Sequence, residues 1–104
     1  MTERWWVNSD NAVRVVGLRN QVSGEYINNA AVTGVLKDAD GNVIIPSVAF
    51  VYVADSDGDY IGQIPAGTAL VVGQVYRLYI TAISSGLQLY IEVEREADYW
   101  TGQP

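Results

Sequence analysis

The sequence predicts an all-β fold, an antiparallel β-sandwich of about seven strands, and three observations carry that reading. Apolar residues alternate at period two along most of the chain, and no segment holds a helical stripe for three turns. Turn-forming residues recur at short intervals, at Ser23-Gly24, Asp40-Gly41, Asp57-Gly58, Ala66-Gly67, Gly73 and Ser85-Gly86. Val, Ile, Thr and Tyr abound beside ten glycines and only one lysine, the composition of strands joined by tight turns.

Each strand is bounded by those turns. Residues 12–18 precede the turn at Ser23-Gly24, and residues 31–37 run into Asp40-Gly41. Residues 47–54 end before Asp57-Gly58, and residues 59–64 end before Ala66-Gly67. A short strand at 70–72 stops at Gly73, and residues 74–83 and 87–96 flank Ser85-Gly86. The last two strands also fix a register. Tyr76, Leu78, Ile80 and Ala82 share one face of the first, and Leu87, Leu89, Ile91 and Val93 share one face of the second. Paired residues of an antiparallel ladder lie on the same face. Matching apolar to apolar sets Leu78 against Val93, Ile80 against Ile91 and Ala82 against Leu89. Arg77 then meets Glu94, and Tyr79 meets Glu92.

With 104 residues the chain makes one domain, residues 1–104, with a core over about 12–96 and terminal segments 1–11 and 97–104. There is no cysteine, so neither disulfides nor thiolate metal sites support the fold, and no histidine to act as a base near neutral pH. The net charge of −6 repels phosphates, which argues against nucleic acid as a partner. No apolar run approaches the roughly 20 residues of a membrane span. The segment from Met1 to Trp6 lacks the basic and apolar regions of a signal peptide, so synthesis and folding in the cytoplasm are expected.

Four constellations carry possible chemistry. Asp55-Ser56-Asp57-Gly58-Asp59 has alternating carboxylates suited to calcium. An EF-hand loop needs its glycine at the sixth position, and placing Gly58 there puts Val53 where the first ligand belongs. The pattern favours a polar hairpin turn over an irregular calcium site. Glu92, Glu94 and Glu96 share a strand face at steps of about 6.6 Å, a spacing that glycosidase carboxylates also use. On a solvated face, however, nothing raises one of them to serve as an acid. None of Ser9, Ser23, Ser47, Ser56, Ser84 or Ser85 sits in a Gly-x-Ser-x-Gly elbow. No catalytic, cofactor-binding or metal-binding residue is assigned, and an enzyme is not expected. Trp5, Trp6, Tyr99 and Trp100 gather at the chain ends. They suit a protein interface or a fold-back over the open end of the core. Outward Tyr79 and Tyr90 on neighbouring strands offer a platform on which a sugar could stack.

Gly73, three residues before Tyr76 at the head of a strand, resembles the tyrosine corner of immunoglobulin-like sandwiches. In that corner the phenol bonds backbone a few residues upstream. Three further stretches are Val32-Thr33-Gly34-Val35-Leu36-Lys37-Asp38-Ala39-Asp40-Gly41, then Gly58-Asp59-Tyr60-Ile61-Gly62-Gln63-Ile64-Pro65, then Gly73-Gln74-Val75-Tyr76. Together they resemble small immunoglobulin-like β-sandwich proteins of bacteriophage and prophage structural gene clusters, over residues 12–93. The resemblance implies a non-enzymatic virion structural or assembly protein, whose partners are other virion proteins or further copies of itself. It supplies no cofactor. The chain lacks the inter-sheet cysteines and mid-strand tryptophan of antibody domains. A carbohydrate- or surface-binding module is the alternative.

Overall fold

The structure, a computed structural model, describes residues 4–100. Among the described residues there are seven strands and no helix: β1 (Arg4–Trp6), β2 (Asn11–Val15), β3 (Ala31–Asp38), β4 (Val43–Tyr52), β5 (Tyr60–Ile64), β6 (Val75–Ser84) and β7 (Leu87–Asp98). They form a mostly antiparallel sheet in the order β1-β7-β6-β3-β4-β5-β2, nearly closed as a barrel. The short β1 lies parallel to β7.

The curl of the sheet depends on β4. Residues 43–49 pair with β3, whereas residues 50–52 pair with β5. Along β3 the pairing slips twice, from Gly34↔Val48 to Leu36↔Ile45 and then to Lys37↔Val43. Each slip gives β4 an extra residue, and Pro46 lies within the first. A bulge leaves a residue out of the ladder, so a proline without an N–H costs little there, and the strand bends. That bend carries the strand predicted over 47–54 back to Val43, on the far side of the proline.

One side chain links the two rims of the sheet. Asn11, at the head of β2, accepts the Trp6 N–H through Oδ1 at 2.8 Å. Its Nδ2 donates to the Trp6 carbonyl at 3.0 Å and the Ser9 carbonyl at 3.1 Å. The amide thus meets both backbone groups of Trp6, as a residue of a neighbouring strand would. Asn11 is only 5% exposed, and no buried side-chain polar atom among the described residues lacks a partner.

Inside, Leu36, Ile64, Leu78 and Ile80 are fully buried. Phe50 lies across Gly62, where a Cβ would come within 2.9 Å of its ring. Gly34 likewise leaves room for Leu78, whose Cδ1 would stand 2.9 Å from a Cβ there. Two glycines in mid-strand therefore mark places where large side chains press on bare backbone. Trp5, Val7 and Ala97 join this core, which extends it beyond the span of 12–96. Residues 70–72 form no strand. Gln74 N–H bonds the Val71 carbonyl and closes a turn that drops Leu70 into the core and leaves Val71 and Val72 exposed.

The β6–β7 register matches the sequence reading: Leu78↔Val93, Ile80↔Ile91, Ala82↔Leu89, Arg77↔Glu94 and Tyr79↔Glu92. Ser84↔Leu87 closes the ladder, with Ser85 at φ 48° and Gly86 at φ 81° between them. Two central residues of positive φ make the turn whose twist suits a hairpin.

Candidate interaction surfaces

Tyr76 enters β6 with its ring buried, and its phenol oxygen accepts the Val71 N–H at 2.8 Å. The hydroxyl therefore ties the start of β6 to the turn before it. Tyr60 makes a second tie of this kind. It is 1% exposed, donates to the Ile27 carbonyl at 2.7 Å and accepts the Ala30 N–H at 3.0 Å. The long connection from β2 to β3 is fastened to the core by that hydroxyl. Inward alternation around Tyr60 and Ile64 was legible in the sequence, but the hydroxyl's two partners lie about thirty residues upstream and left no local signal.

The terminal aromatics divide between inside and outside. Successive strand residues face opposite ways, so Trp5 and Trp6 cannot share a surface. Trp5 is 4% exposed and belongs to the core, where the fold-back alternative puts it. Trp6 points out and meets Trp100 edge-to-face, with ring centroids 5.1 Å apart. Trp100 remains 59% exposed and Tyr99 57% exposed. The structure thus brings Trp6, Tyr99 and Trp100 to one end of the β1–β7 pair.

On the outer face of β6 and β7, Tyr79 and Tyr90 lie diagonal to each other with centroids 6.4 Å apart and planes tilted by 33°. Tyr79 is half-buried, and Lys37 Nζ stands 5.2 Å from its ring centroid. Arg77 reaches across the strands to Glu92 at 3.5 Å and to Glu94. The Glu94 bond, with a further bond to Tyr79, holds the guanidinium above its ordinary pKa. Partial desolvation, then the bond to Glu92, raises the Tyr90 phenol. Glu96 is met by Arg4 at 3.1 Å. Each glutamate of the row therefore faces an arginine.

The acidic turn at 55–59 is an anchor. Asp59 Oδ1 accepts the Gly17 N–H at 2.9 Å, and Oδ2 lies 3.4 Å from Arg14. Gly58 donates to Asn28 Oδ1 at 2.8 Å, and its carbonyl receives the Leu18 N–H at 2.9 Å. Asp55 adopts φ 63° at the start of this turn. The aspartates do not converge: among the described residues no three His, Cys, Asp or Glu side chains could hold a metal ion together.

A cleft of about 440 Å³ separates Val15, Gly17 and Leu18 from Leu89, Tyr90 and Ile91. It lies along the outer edge of β7, because β1 covers only Glu96 to Asp98 of that strand. Among the described residues no helix is long and apolar enough to cross a membrane. Comparison with protein-family models, with curated proteins and with solved structures found no match to this chain.

Proposed function

We propose that this chain is a non-enzymatic structural or assembly protein of a bacteriophage or prophage virion, made in the bacterial cytoplasm and acting through protein–protein contacts. The observation that carries the reading is the Trp6–Trp100 pair, half-buried at Trp6 and exposed at Trp100, with exposed Tyr99 beside it, on β1 and just past the end of β7. Tryptophan and tyrosine bury large area with few rotatable bonds, which suits a binding surface. The carboxylates that could have served chemistry have other work: Asp59 anchors a turn, and Glu92, Glu94 and Glu96 sit against arginines.

An immunoglobulin-like sandwich is the finer fold proposed. Its support is the strand order, in which β4 changes partner from β3 to β5 and so turns the sheet between β7-β6-β3 and β5-β2. The bond from Val71 N–H to the Tyr76 phenol supports it as well. Mass spectrometry of virions purified from the host of this gene tests the assignment. The 11.4 kDa chain is expected at a fixed copy number, with incorporation lost in a Trp6→Ala, Trp100→Ala double variant that still folds. Virions free of the chain would refute it. The carbohydrate-binding reading is favoured by one observation, the adjacent rings of Tyr79 and Tyr90. A glycan array on which Tyr79→Ala, Tyr90→Ala abolishes binding would establish it instead.

A further inference from the structure

The six asparagines of the chain differ in what holds their side chains. Asn11 is buried and bonds Trp6 and Ser9. Asn20 Oδ1 accepts the Val22 N–H at 2.8 Å, and Asn28 Oδ1 accepts the Gly58 N–H at 2.8 Å. Asn29 Oδ1 accepts the Ser84 hydroxyl at 2.9 Å, and Asn42 Nδ2 donates to Asp38 at 3.1 Å. Asn8 alone makes no side-chain hydrogen bond among the described residues. It lies exposed at φ 59° in the turn between β1 and β2, and the small residue Ser9 follows it.

We propose that Asn8 is a site of spontaneous deamidation in the folded chain. The Ser9 backbone nitrogen attacks Asn8 Cγ, and the new N–C bond closes a cyclic imide. The Cγ–Nδ2 bond breaks, and ammonia leaves with the proton of the Ser9 N–H. Water then opens the ring at one carbonyl or the other. The product is aspartate, or isoaspartate with the main chain routed through Cγ, and either adds one negative charge to the −6 of the chain. Serine crowds the attacking nitrogen less than Gln21 or Val43 would, and no bond of the Asn8 amide has to break first. At the other five asparagines such a bond must open, which slows the reaction by about fivefold. The two Asp-Gly turns, which form the same imide by loss of water, are held as well: the Gly58 N–H donates to Asn28, and the Gly41 N–H to the Asp38 carbonyl at 3.1 Å. Isoaspartate at position 8 lengthens the main chain between Trp6 and Asn11. The Asn11 amide reaches Trp6 and Ser9 across that span, so the longer path releases it and shifts the Trp6 ring on Trp100. Any effect on a partner rests on the aromatic surface proposed above, whereas the chemistry does not.

The full chain, held at mildly alkaline pH and body temperature, is followed at each asparagine by peptide mapping and mass spectrometry. Asn8 is expected to convert about fivefold faster than any other asparagine, to a mixture of aspartate and isoaspartate. The rate is expected to rise in proportion to hydroxide, which deprotonates the attacking nitrogen. Denaturing urea separates the fold from the local sequence. There Asn28 and Asn29 are expected to react about fivefold faster than in the folded chain, while Asn8 keeps its rate. Asn8→Gly suits the positive φ, so it should fold and lose the reaction in that peptide. The isolated isoaspartyl form is expected to shift tryptophan emission, and the aspartyl form to match the wild type. Partner binding is not part of the readout, so failure here leaves the virion assignment to its own test. Another asparagine converting as fast as Asn8 in the folded chain, an Asn8 that urea accelerates as much as Asn28, or an isoaspartyl form with unchanged emission overturns the inference.

Discussion

Replacing Tyr60 by phenylalanine removes one oxygen and tests how the β2–β3 connection is held. In the wild type that hydroxyl serves the Ile27 carbonyl and the Ala30 N–H from a residue 1% exposed. Its loss strands a donor and an acceptor that the ring shields from water. A stranded buried group costs about 1–3 kcal/mol, so the pair costs roughly 2–4 kcal/mol. A chain of this size has about 5–15 kcal/mol to lose. The melting temperature is therefore expected to fall by roughly 10–25 °C. Tyr76→Phe strands a single donor, the N–H of Val71, which is 57% exposed and open to replacement by water. That substitution costs about 1 kcal/mol. Tyr79→Phe, on the outer face, changes stability by about 0.5 kcal/mol or less. Urea unfolding followed by tryptophan fluorescence measures all three, and an unchanged slope shows that the same surface is exposed. Hydrogen exchange supplies the local readout: the Ala30 amide is expected to lose protection in Tyr60→Phe alone. A Tyr60→Phe cost no greater than that of Tyr76→Phe, or an Ala30 amide as protected as before, would refute the reasoning.

Three further outcomes are expected. Gly58→Ala places a Cβ 2.6 Å from the Leu18 backbone at φ 76°, so it should cost about 3 kcal/mol or more and deplete folded protein. Gly41→Ala, with open space around it at φ 86°, should cost only about 1 kcal/mol, and equal melts for the two would disprove the close-approach argument. Trp5→Ala empties part of the core and should cost about 3–5 kcal/mol, whereas Trp100→Ala should leave the urea midpoint nearly unchanged. Asp38 accepts the Asn42 N–H at 2.9 Å, the Asn42 Nδ2 at 3.1 Å and the Asp40 N–H at 2.9 Å, and those bonds, Asn42 first, hold its pKa below the ordinary aspartate value. Its contribution to the β3–β4 turn is complete above that ordinary value and is lost as pH falls through the lowered folded one. A carboxyl NMR titration midpoint at or above the free aspartate value would contradict this.

How far the fold was legible follows from the range of the forces involved. Alternation and turn chemistry act over a few residues, so they located six of the strands and set the β6–β7 register, where two neighbouring strands carry matched apolar rows. β1 escaped because three residues are too few for a period, and its partner lies at the opposite end of the chain. The apolar Leu70-Val71-Val72 run looked like a strand, yet Leu70 alone enters the core. Pro46 hid the first part of β4 because its tolerance depends on a bulge that only the β3 pairing reveals. The aromatic candidates fared likewise. Clustering was visible at the ends, but the parity that sends Trp5 inward and Trp6 outward needed the β1–β7 register.

That register also explains why Trp6, Tyr99 and Trp100 gather at one end of the fold, since Trp6 pairs with Asp98. β1 is three residues long, so it covers only the last part of β7. Past Trp6 the chain must cross to β2, and Asn11 occupies the outer backbone groups of Trp6 at that crossing. At that crossing Trp6 rests on Trp100, just past the end of β7. β7 is held by β6 from Leu87 to Glu96, so the strand beside this end need not become ordered when a partner arrives. Little conformational entropy is then lost on contact, and a modest area can suffice for association.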